Sequence, residues 1–223
     1  MDKKWHDWYI KISRELGISY EKDMKSAETL EKVLKYDISC DLYKVFEGRD
    51  AYIFGAAPSL ERDVVSFLKS GSKGVIVSAD GATTCLLKYN LIPDVVVTDL
   101  DGRVEDIIKA SKRGAHIVVH AHGDNLEKIE KFVPEMKRVV GTTQTENIGK
   151  VRNYFGFTDG DRAVFIAFHF GARRVFLLGM DFGNFVGKYS KPGLKMKKKA
   201  SERKKIKLRI AKELIEEISR EKE

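Results

Sequence analysis

The chain has 223 residues and a formal net charge of +8 at pH 7, and 43% of its residues are hydrophobic. That length suits one α/β domain with appendages, and the hydrophobic content is typical of a globular protein with a substantial core. No apolar run approaches the length of a membrane span, which argues against a membrane protein. The positive charge favours phosphate-rich ligands, although much of it lies between Lys191 and Arg209.

The first 46 residues have the spacing of helices. Trp5, Trp8 and Ile12 recur at steps of three and four residues, which places them on one helical face. We predict two or three helices that form an N-terminal helical cap over residues 1–46.

From Arg49 onward, short apolar runs alternate with amphipathic helical segments. This alternation predicts an α/β fold with a mostly parallel, Rossmann-like sheet and helices on both faces, over residues 47–190. The predicted strands are Ala51–Phe54, Gly74–Val77, Val95–Val97, His116–Val119, Arg138–Val140 and Arg174–Leu178. The predicted helices are Leu60–Lys69, Thr83–Tyr89, Val104–Arg113, Asn125–Phe132 and Arg162–Phe170. A basic segment and a C-terminal helix, from about Ala200 to Lys222, complete the chain over residues 191–223.

Two aspartates at the end of a buried strand are the most informative feature. Val95–Val97 are followed by Asp99 and Asp101, which the alternation of side chains along a strand places on one face. Two such carboxylates repel each other unless a cation lies between them, and Mg²⁺ favours carboxylate oxygens. Asp80, after the second predicted strand, is a candidate for a further ligand. The alternatives are an Asp-rich turn for the pair and a helix cap for Asp80.

Small or polar residues also follow the other predicted strands. In open parallel sheets, ligands bind at the carboxyl ends of the strands, so these residues are expected to converge. The small residues from Gly55 to Ser59 let backbone N–H groups approach a phosphate, unless Ser59 is only a helix N-cap. His122 is a candidate substrate donor, Asp124 and Asn125 bind a ligand or cap a helix, and residues 141–145 form either a binding loop or a solvated one. Together these residues predict a polar pocket with several carboxylates.

Basic side chains must complete such a pocket, because carboxylates alone repel a nucleotide. The candidates are Arg162, Arg173, Arg174, Lys188, Lys191 and Lys195. Two interpretations stay open for Lys195–Lys207, which forms either a lid over bound phosphates or a solvated basic face.

Several motifs carry a resemblance. They are Gly55-Ala56-Ala57-Pro58-Ser59-Leu60, Ala79-Asp80-Gly81-Ala82, Pro93-Asp94-Val95-Val96-Val97-Thr98-Asp99-Leu100-Asp101, Gly179-Met180-Asp181-Phe182 and Gly187-Lys188-Tyr189-Ser190-Lys191-Pro192. Together they resemble the archaeal 6-hydroxymethyl-7,8-dihydropterin pyrophosphokinase family, from Asp50 to about Leu208. The resemblance implies transfer of diphosphate from ATP to the hydroxymethyl group of a reduced pterin, with release of AMP, in tetrahydromethanopterin or folate-type biosynthesis.

The resemblance also implies roles for single residues. Asp80, Asp99 and Asp101 would bind Mg²⁺, and Asp124 would bind metal or accept the hydroxyl proton. The residues expected to hold the nucleotide phosphates are Gly55, Ala57, Ser59, Lys188 and Lys191. The residues expected to hold the pterin are His122, Asn125, Thr142, Gln144, Asp181 and Phe182.

Other functions stay open at this point. The Asp-Gly-Ala turn and the paired-aspartate strand are also similar to those of thiamine pyrophosphokinases, in which the corresponding acidic residues bind Mg²⁺. The chain lacks the β-rich second domain of that family. The alternatives are a thiamine-type diphosphokinase or a nucleotide-sugar transferase that uses the same pocket. In a different class, a nucleic-acid binder would use the basic C-terminal segment.

Location and partners follow from the remaining features. Cys40 and Cys85 lie inside predicted elements without metal-ligand spacing, which is typical of buried thiols in a cytoplasmic protein. We expect small-molecule substrates, no nucleic acid and no membrane. The terminal helices either offer surfaces for a homodimer or pack on the sheet of their own chain.

Overall fold

The computed structural model describes residues 3–222 and is built around a seven-stranded sheet. Its strands are β1 (Asp50–Phe54), β2 (Val75–Ala79), β3 (Val95–Thr98), β4 (His116–Ala121), β5 (Val139–Thr143), β6 (Val151–Arg152) and β7 (Arg174–Leu178). Their spatial order is β6-β5-β4-β3-β2-β1-β7, and every pairing is parallel. The α/β prediction and its six strands are confirmed. The two-residue strand β6 was not predicted, because so short a segment has no periodicity to detect.

Helices cover both faces of the sheet. They are α1 (Lys3–Leu16), α2 (Tyr20–Val33), α3 (Asp41–Phe46), α4 (Leu60–Ser70), α5 (Ala82–Lys88), α6 (Val104–Lys112), α7 (Leu126–Phe132), α8 (Asp159–His169) and α9 (Glu202–Lys222), with a 3₁₀ turn at Val133–Glu135. A small antiparallel pair, β8 (Phe185–Val186) and β9 (Lys198–Lys199), lies outside the sheet. The predicted N-terminal helices and C-terminal helix are confirmed.

Alternation along the strands divides the core into two layers. Val95 and Val97 pack with α3 and α8 on one face, whereas Val96 packs with α2, α6 and α7 on the other. A strand buried on both faces needs apolar residues at every position, and for that reason β3 reads as consecutive valines. Near β1, helices α4 and α5 cover the second face. The site therefore rests on strands held from both sides.

The terminal helices pack on their own chain. Trp5 and Ile12 of α1 are buried against Ile210 and Leu214 of α9. The prediction of two buried thiols is wrong for Cys40, which is exposed just before α3, whereas Cys85 is buried. No helix within residues 3–222 is long and apolar enough to cross a membrane.

The sheet reverses its strand order between β1 and β7. Strands β2 to β6 extend to one side of β1, whereas β7 returns by way of α8 to the other side. Open α/β sheets bind ligands outside the carboxyl ends of the strands at such a point. The residues that follow β1 and β7 are therefore expected to line a ligand site.

Candidate active site

Three carboxylates face one another at the carboxyl edge of the sheet. Asp80 follows β2, Asp99 follows β3, and Asp159 begins α8. Each contributes an oxygen to a set in which all atoms lie within 4.8 Å of one another. We call these three residues the acidic group. The sequence predicted that Asp80 and Asp99 converge, and the structure brings them together.

The backbone around Asp80 holds its carboxylate in place. Asp80 has a left-handed φ of 41°, and its Oδ1 accepts a hydrogen bond of 2.6 Å from the Thr98 hydroxyl. Gly102 packs directly against the other side, where an added Cβ would lie 2.7 Å from Asp80 Oδ2. Gly102 does not have a left-handed φ, so the close approach of the Asp80 carboxylate, and not the turn itself, favours a glycine here.

Asp159 was missed because α8 was predicted to begin at Arg162, three residues too late. The helix begins with a capping box, in which the Asp161 carboxylate accepts a hydrogen bond of 2.8 Å from the backbone N–H of Thr158. The spacing Thr-x-x-Asp is a sequence signal for a helix start and could have located this terminus.

The acidic group is electrostatically strained when no cation is bound. Burial and the neighbouring Asp99 raise the pKa of Asp80 to about 7. Burial, Asp99 and Asp80 likewise raise the pKa of Asp159 well above its ordinary value. None of the three forms an ion pair with a lysine or arginine within residues 3–222, although the charges of Arg162 and Lys204 partly offset the rise in the pKa of Asp159. His122 Nε2 lies 3.6 Å from Asp99 Oδ2. A hard divalent cation fits this set of oxygen donors.

Asp101 does not join the acidic group, and the predicted common face is wrong. The strand ends at Thr98, and Leu100 adopts a left-handed φ of 64°, which turns the chain and ends the alternation. The Asp101 carboxylate instead pairs with Lys128 at 2.6 Å and with Lys191 at 2.8 Å. Burial alone would raise the pKa of Asp101, but these two lysines lower it to about 2.

A first chamber, the β1 chamber, opens where the strand order reverses. Gly55 and Ala57, which were expected to hold nucleotide phosphates, line it together with Asp181 and Phe182, which were expected to hold the pterin. Its other walls are largely small or apolar, and Asp80, Asp159 and Lys204 close one side. The complete lining is Gly55, Ala56, Ala57, Ala79, Asp80, Gly81, Thr158, Asp159, Gly160, Gly179, Met180, Asp181, Phe182, Phe185, Val186, Ser190, Lys204, Leu208 and Ala211.

Ser59 is engaged with Asp181. The Ser59 hydroxyl and backbone N–H both donate to the Asp181 carboxylate, the backbone bond being 3.1 Å long. Ser59 does not line the β1 chamber. This contact joins the start of α4 to the segment after β7. It holds the turn after β1 next to the turn after β7, and both turns contribute residues to the β1 chamber.

Residues 185–191, which we call the strap, cross the β1 chamber. Gly81 allows the crossing, because an added Cβ there would lie 1.9 Å from the Tyr189 carbonyl oxygen. Glu61 anchors the strap by accepting from the Tyr189 hydroxyl at 2.9 Å and pairing with Lys188 at 2.6 Å. Lys188 and Lys191 are thus held by carboxylates of the chain and do not line the chamber.

A second chamber, the β4 chamber, lies beyond the acidic group. Four of the predicted site residues line it, namely Asp99, His122, Asp124 and Gln144. It shares Thr158, Asp159 and Lys204 with the β1 chamber. The complete lining is Ile18, Asp23, Asp99, His120, His122, Gly123, Asp124, Gln144, Phe157, Thr158, Asp159, Arg203, Lys204 and Lys207.

The side chain of Asn125 bonds to the backbone at the ends of β3 and β4. Its buried amide donates to the carbonyl oxygens of Asp99 and His120 at 2.9 and 2.7 Å, and its Oδ1 accepts from the backbone N–H of His122 at 3.1 Å. These bonds fix the ends of β3 and β4 relative to each other. Asn125 does not line the β4 chamber, but it positions the backbone of Asp99 and His122, which do.

Thr142 also lies behind the site. It is buried at the end of β5, where its hydroxyl accepts from the Arg162 guanidinium at 3.4 Å. Burial lowers the pKa of Arg162 to about 10. Arg173 and Arg174, the other predicted basic candidates, pair with Asp50 at the amino end of β1 and β7, at the opposite edge of the sheet.

Comparisons with known proteins agree on one family. Residues 25–186 match the family described as "MptE-like: 6-hydroxymethylpterin diphosphokinase MptE-like". Three curated relatives carry the name 6-hydroxymethyl-7,8-dihydropterin pyrophosphokinase. The protein from Pyrococcus furiosus is 46% identical over 96% of this chain and 93% of its own length. The proteins from Methanocaldococcus jannaschii and Methanothermobacter thermautotrophicus are 44% and 42% identical, over 86% and 97% of this chain and 85% and 94% of theirs.

A solved structure is similar at a lower level. The MAf glycosyltransferase from Magnetospirillum magneticum aligns with a TM-score of 0.44 and 16% identity, over 71% of this chain and 28% of that chain. A likeness of that size bears on neither fold nor activity.

Proposed function

We propose a reaction for this protein on the premise that the chain belongs to the MptE-like 6-hydroxymethylpterin diphosphokinase family. In this proposal the protein transfers diphosphate from ATP to 6-hydroxymethyl-7,8-dihydropterin and produces the pterin diphosphate and AMP. The product would feed archaeal tetrahydromethanopterin or folate-type biosynthesis. The names of the relatives support the acceptor, and their coverage of nearly the whole chain supports a shared activity.

The acidic group is the observation that supports the chemistry most strongly. A cation would relieve the repulsion among these three carboxylates, and Mg²⁺ commonly arrives with nucleotide phosphates. We assign the cation to Asp80, Asp99 and Asp159, so that Asp159 replaces Asp101 in the predicted set of ligands. Bound there, Mg²⁺ would neutralise charge on the phosphates and act as a Lewis acid.

The residues of the chain would then position the reactants. The acceptor hydroxyl oxygen attacks the β-phosphorus of ATP, and the bond from that phosphorus to the bridging oxygen of AMP breaks. Asp124, which lines the β4 chamber, is our candidate acceptor for the hydroxyl proton. Because little covalent chemistry is required of the protein, orientation and electrostatic stabilisation would supply most of the rate.

An AMP-release assay tests the proposal directly. Purified protein is incubated with Mg²⁺ and ATP labelled at the β-phosphorus, together with reduced hydroxymethylpterin, with thiamine, or with neither. We expect equimolar AMP and labelled pterin diphosphate with the pterin alone, and loss of both products in EDTA. Product formed with thiamine, or no product with the pterin, would refute the assignment.

Two other expectations remain predictions. A homodimer is tested by light scattering on the purified protein, and a cytoplasmic location by cell fractionation. Binding of nucleic acid through the basic segment would appear as steeply salt-dependent association, which we do not expect.

A further inference from the structure

We propose that the two chambers divide the substrates between them. The β4 chamber binds the acceptor alcohol and the diphosphate that it receives, the β1 chamber binds the AMP portion of ATP, and Asp23 positions the acceptor subsite. This inference rests on the proposed diphosphate transfer. It adds which end of the site takes which reactant, and it gives the N-terminal helices a part in substrate selection.

The arrangement of the chambers suits an in-line displacement. Asp159 and Lys204 line both chambers, whereas Asp80 lines only the β1 chamber and Asp99 only the β4 chamber. The acidic group thus lies where the two spaces meet. In a displacement at phosphorus, the attacking and leaving oxygens lie on opposite sides of the transferred group. Donor and acceptor are therefore expected on opposite sides of the acidic group.

The distribution of basic side chains sets the direction of transfer. Of its basic residues, helix α9 presents Arg203, Lys204 and Lys207 to the β4 chamber but only Lys204 to the β1 chamber. Within the described chain, neither Lys204 nor Lys207 pairs with a carboxylate, and the Lys207 ammonium lies 5.6 Å above the Phe157 ring. Attack at the β-phosphorus moves the β- and γ-phosphates toward the acceptor. The chamber with more unpaired ammonium groups is the one suited to receive them.

The β1 chamber has the walls expected for a nucleoside. Met180, Phe182, Phe185, Val186 and Leu208 supply apolar surface beside the turn after β1. Binding sites for flat heterocycles are mostly apolar with a few polar groups. Its position at the reversal of strand order is also the usual nucleotide position in open α/β sheets.

Asp23 of α2 organises the opposite chamber. It is only 1% exposed and has no lysine or arginine ion pair within residues 3–222. Its carboxylate accepts hydrogen bonds from the Gly123 N–H and the Tyr9 hydroxyl, each 2.8 Å long, and from Gln144 Nε2 at 2.6 Å. One buried carboxylate thus joins α1 and α2 to the loops that follow β4 and β5.

The bond to Asp23 also fixes the orientation of Gln144. Because a carboxylate can only accept, the amide nitrogen must face Asp23, and this leaves Oε1 as an acceptor for a ligand. The reduced pterin presents an amino group and ring N–H groups along one edge. An oxygen acceptor held in a fixed orientation suits that edge, so Asp23 is a positioning residue that acts through Gln144.

Steady-state kinetics with each substrate varied separately test the assignment. For Asp23→Asn and Gln144→Ala we expect the KM for the pterin alcohol to rise about tenfold, with the KM for ATP changed less than about twofold. Phe182 lines the β1 chamber, so the proposal assigns it to the AMP portion of ATP and not to the pterin that the resemblance implied. Phe182→Ala is therefore the matched control, for which we expect the KM for ATP to rise and the KM for the pterin alcohol to change little. A rise in the KM for ATP alone in the Asp23 and Gln144 variants would overturn the assignment.

Lys207→Gln provides a second test. The Lys207 side chain is only partly buried, so the substitution is expected to leave the fold intact. We expect inhibition by the pterin diphosphate product to weaken about tenfold, and inhibition by AMP to stay the same. If Lys207→Gln weakened inhibition by AMP alone, the assignment of substrates to the two chambers would have to be reversed. An unmodified protein that releases no AMP with the pterin alcohol is a different outcome, which refutes the proposed function itself.

Discussion

Two clusters of acidic side chains near the edge of the sheet differ in what surrounds them. In the acidic group, three carboxylates approach one another with no lysine or arginine ion pair within residues 3–222. Asp101 follows β3 and Glu61 belongs to α4, and each pairs with two lysines. The difference teaches that the spacing of acidic residues does not identify a metal site. A carboxylate that is already paired with lysines has little left to offer a cation, so carboxylates without such partners are the better candidates for a metal site.

The largest expected effect comes from the acidic group. We expect Asp99→Asn and Asp159→Asn each to lower the rate of AMP release by two orders of magnitude or more, because loss of metal and phosphate neutralisation costs several kcal/mol. Circular dichroism and thermal unfolding should show an intact fold. Near-normal turnover in either variant would remove that residue from the metal site.

The two clusters are expected to change the stability of the protein in opposite directions as pH rises. In metal-free protein, the pKa of Asp80 is raised to about 7 from an ordinary value of 3.8. Between these values the folded state binds more protons than the unfolded state, so the contribution of Asp80 to stability falls as pH rises. Asp80→Asn lacks this penalty. In EDTA, we expect its Tm to gain on that of the unmodified protein between pH 5 and pH 8.

Glu61 is expected to behave in the opposite way. Pairing with Lys188, despite partial burial, lowers the pKa of Glu61 to about 2 from 4.5. Its contribution to stability is present above the ordinary value and is lost as pH falls toward the lowered one. A Glu61→Gln variant should therefore differ from the unmodified protein at neutral pH and converge with it in acid. Convergence at high pH instead would contradict the role of Glu61 as a paired anchor.

Gly102→Ala tests whether the position of Asp80 matters. The new methyl group would lie 2.7 Å from Asp80 Oδ2, so the carboxylate or the turn must shift, at a cost of about 1–3 kcal/mol. We expect weaker activation by Mg²⁺ in the AMP assay. Gly183→Ala is the control, because its nearest neighbour is the Asp181 carbonyl oxygen at 4.0 Å. Equal loss in both variants would point to a general effect of alanine.

The smallest effect is expected at Asp101. Its ion pairs with Lys128 and Lys191 involve partly exposed side chains, and such pairs contribute about 0–1 kcal/mol. Asp101→Asn should therefore retain activity within about tenfold of the unmodified protein. A loss as large as that of Asp99→Asn would return Asp101 to the metal site and contradict the comparison between the two clusters.

Local patterns predicted the fold well, because the spacing of apolar residues within a segment shows which of its faces is buried and whether it is a strand or a helix. Asp80 and Asp99 were found for the same reason, since they directly follow apolar strands. Asp101 was misplaced because alternation was extended past Thr98, and nothing in the sequence signals a left-handed φ at Leu100. Leucine rarely adopts that conformation, so the turn is imposed by its surroundings.

Two other residues depended on packing at long range. Asp159 reaches the acidic group only because α8 crosses the sheet from β6 to β7, which places its first turn over the ends of β2 and β3. Lys204 belonged to a lysine-rich stretch in which no residue stood out. Its position between the chambers is set by the packing of α9 against α1 and α8.

The place of α9 in the chain has a consequence for synthesis. All strands of the main sheet and all three aspartates of the acidic group leave the ribosome before α9 does. Domains commonly begin to fold during translation. A nascent chain can therefore bring the three aspartates together before Lys204 and Lys207 emerge from the ribosome, and the phosphate-binding chamber proposed above is complete only when α9 docks.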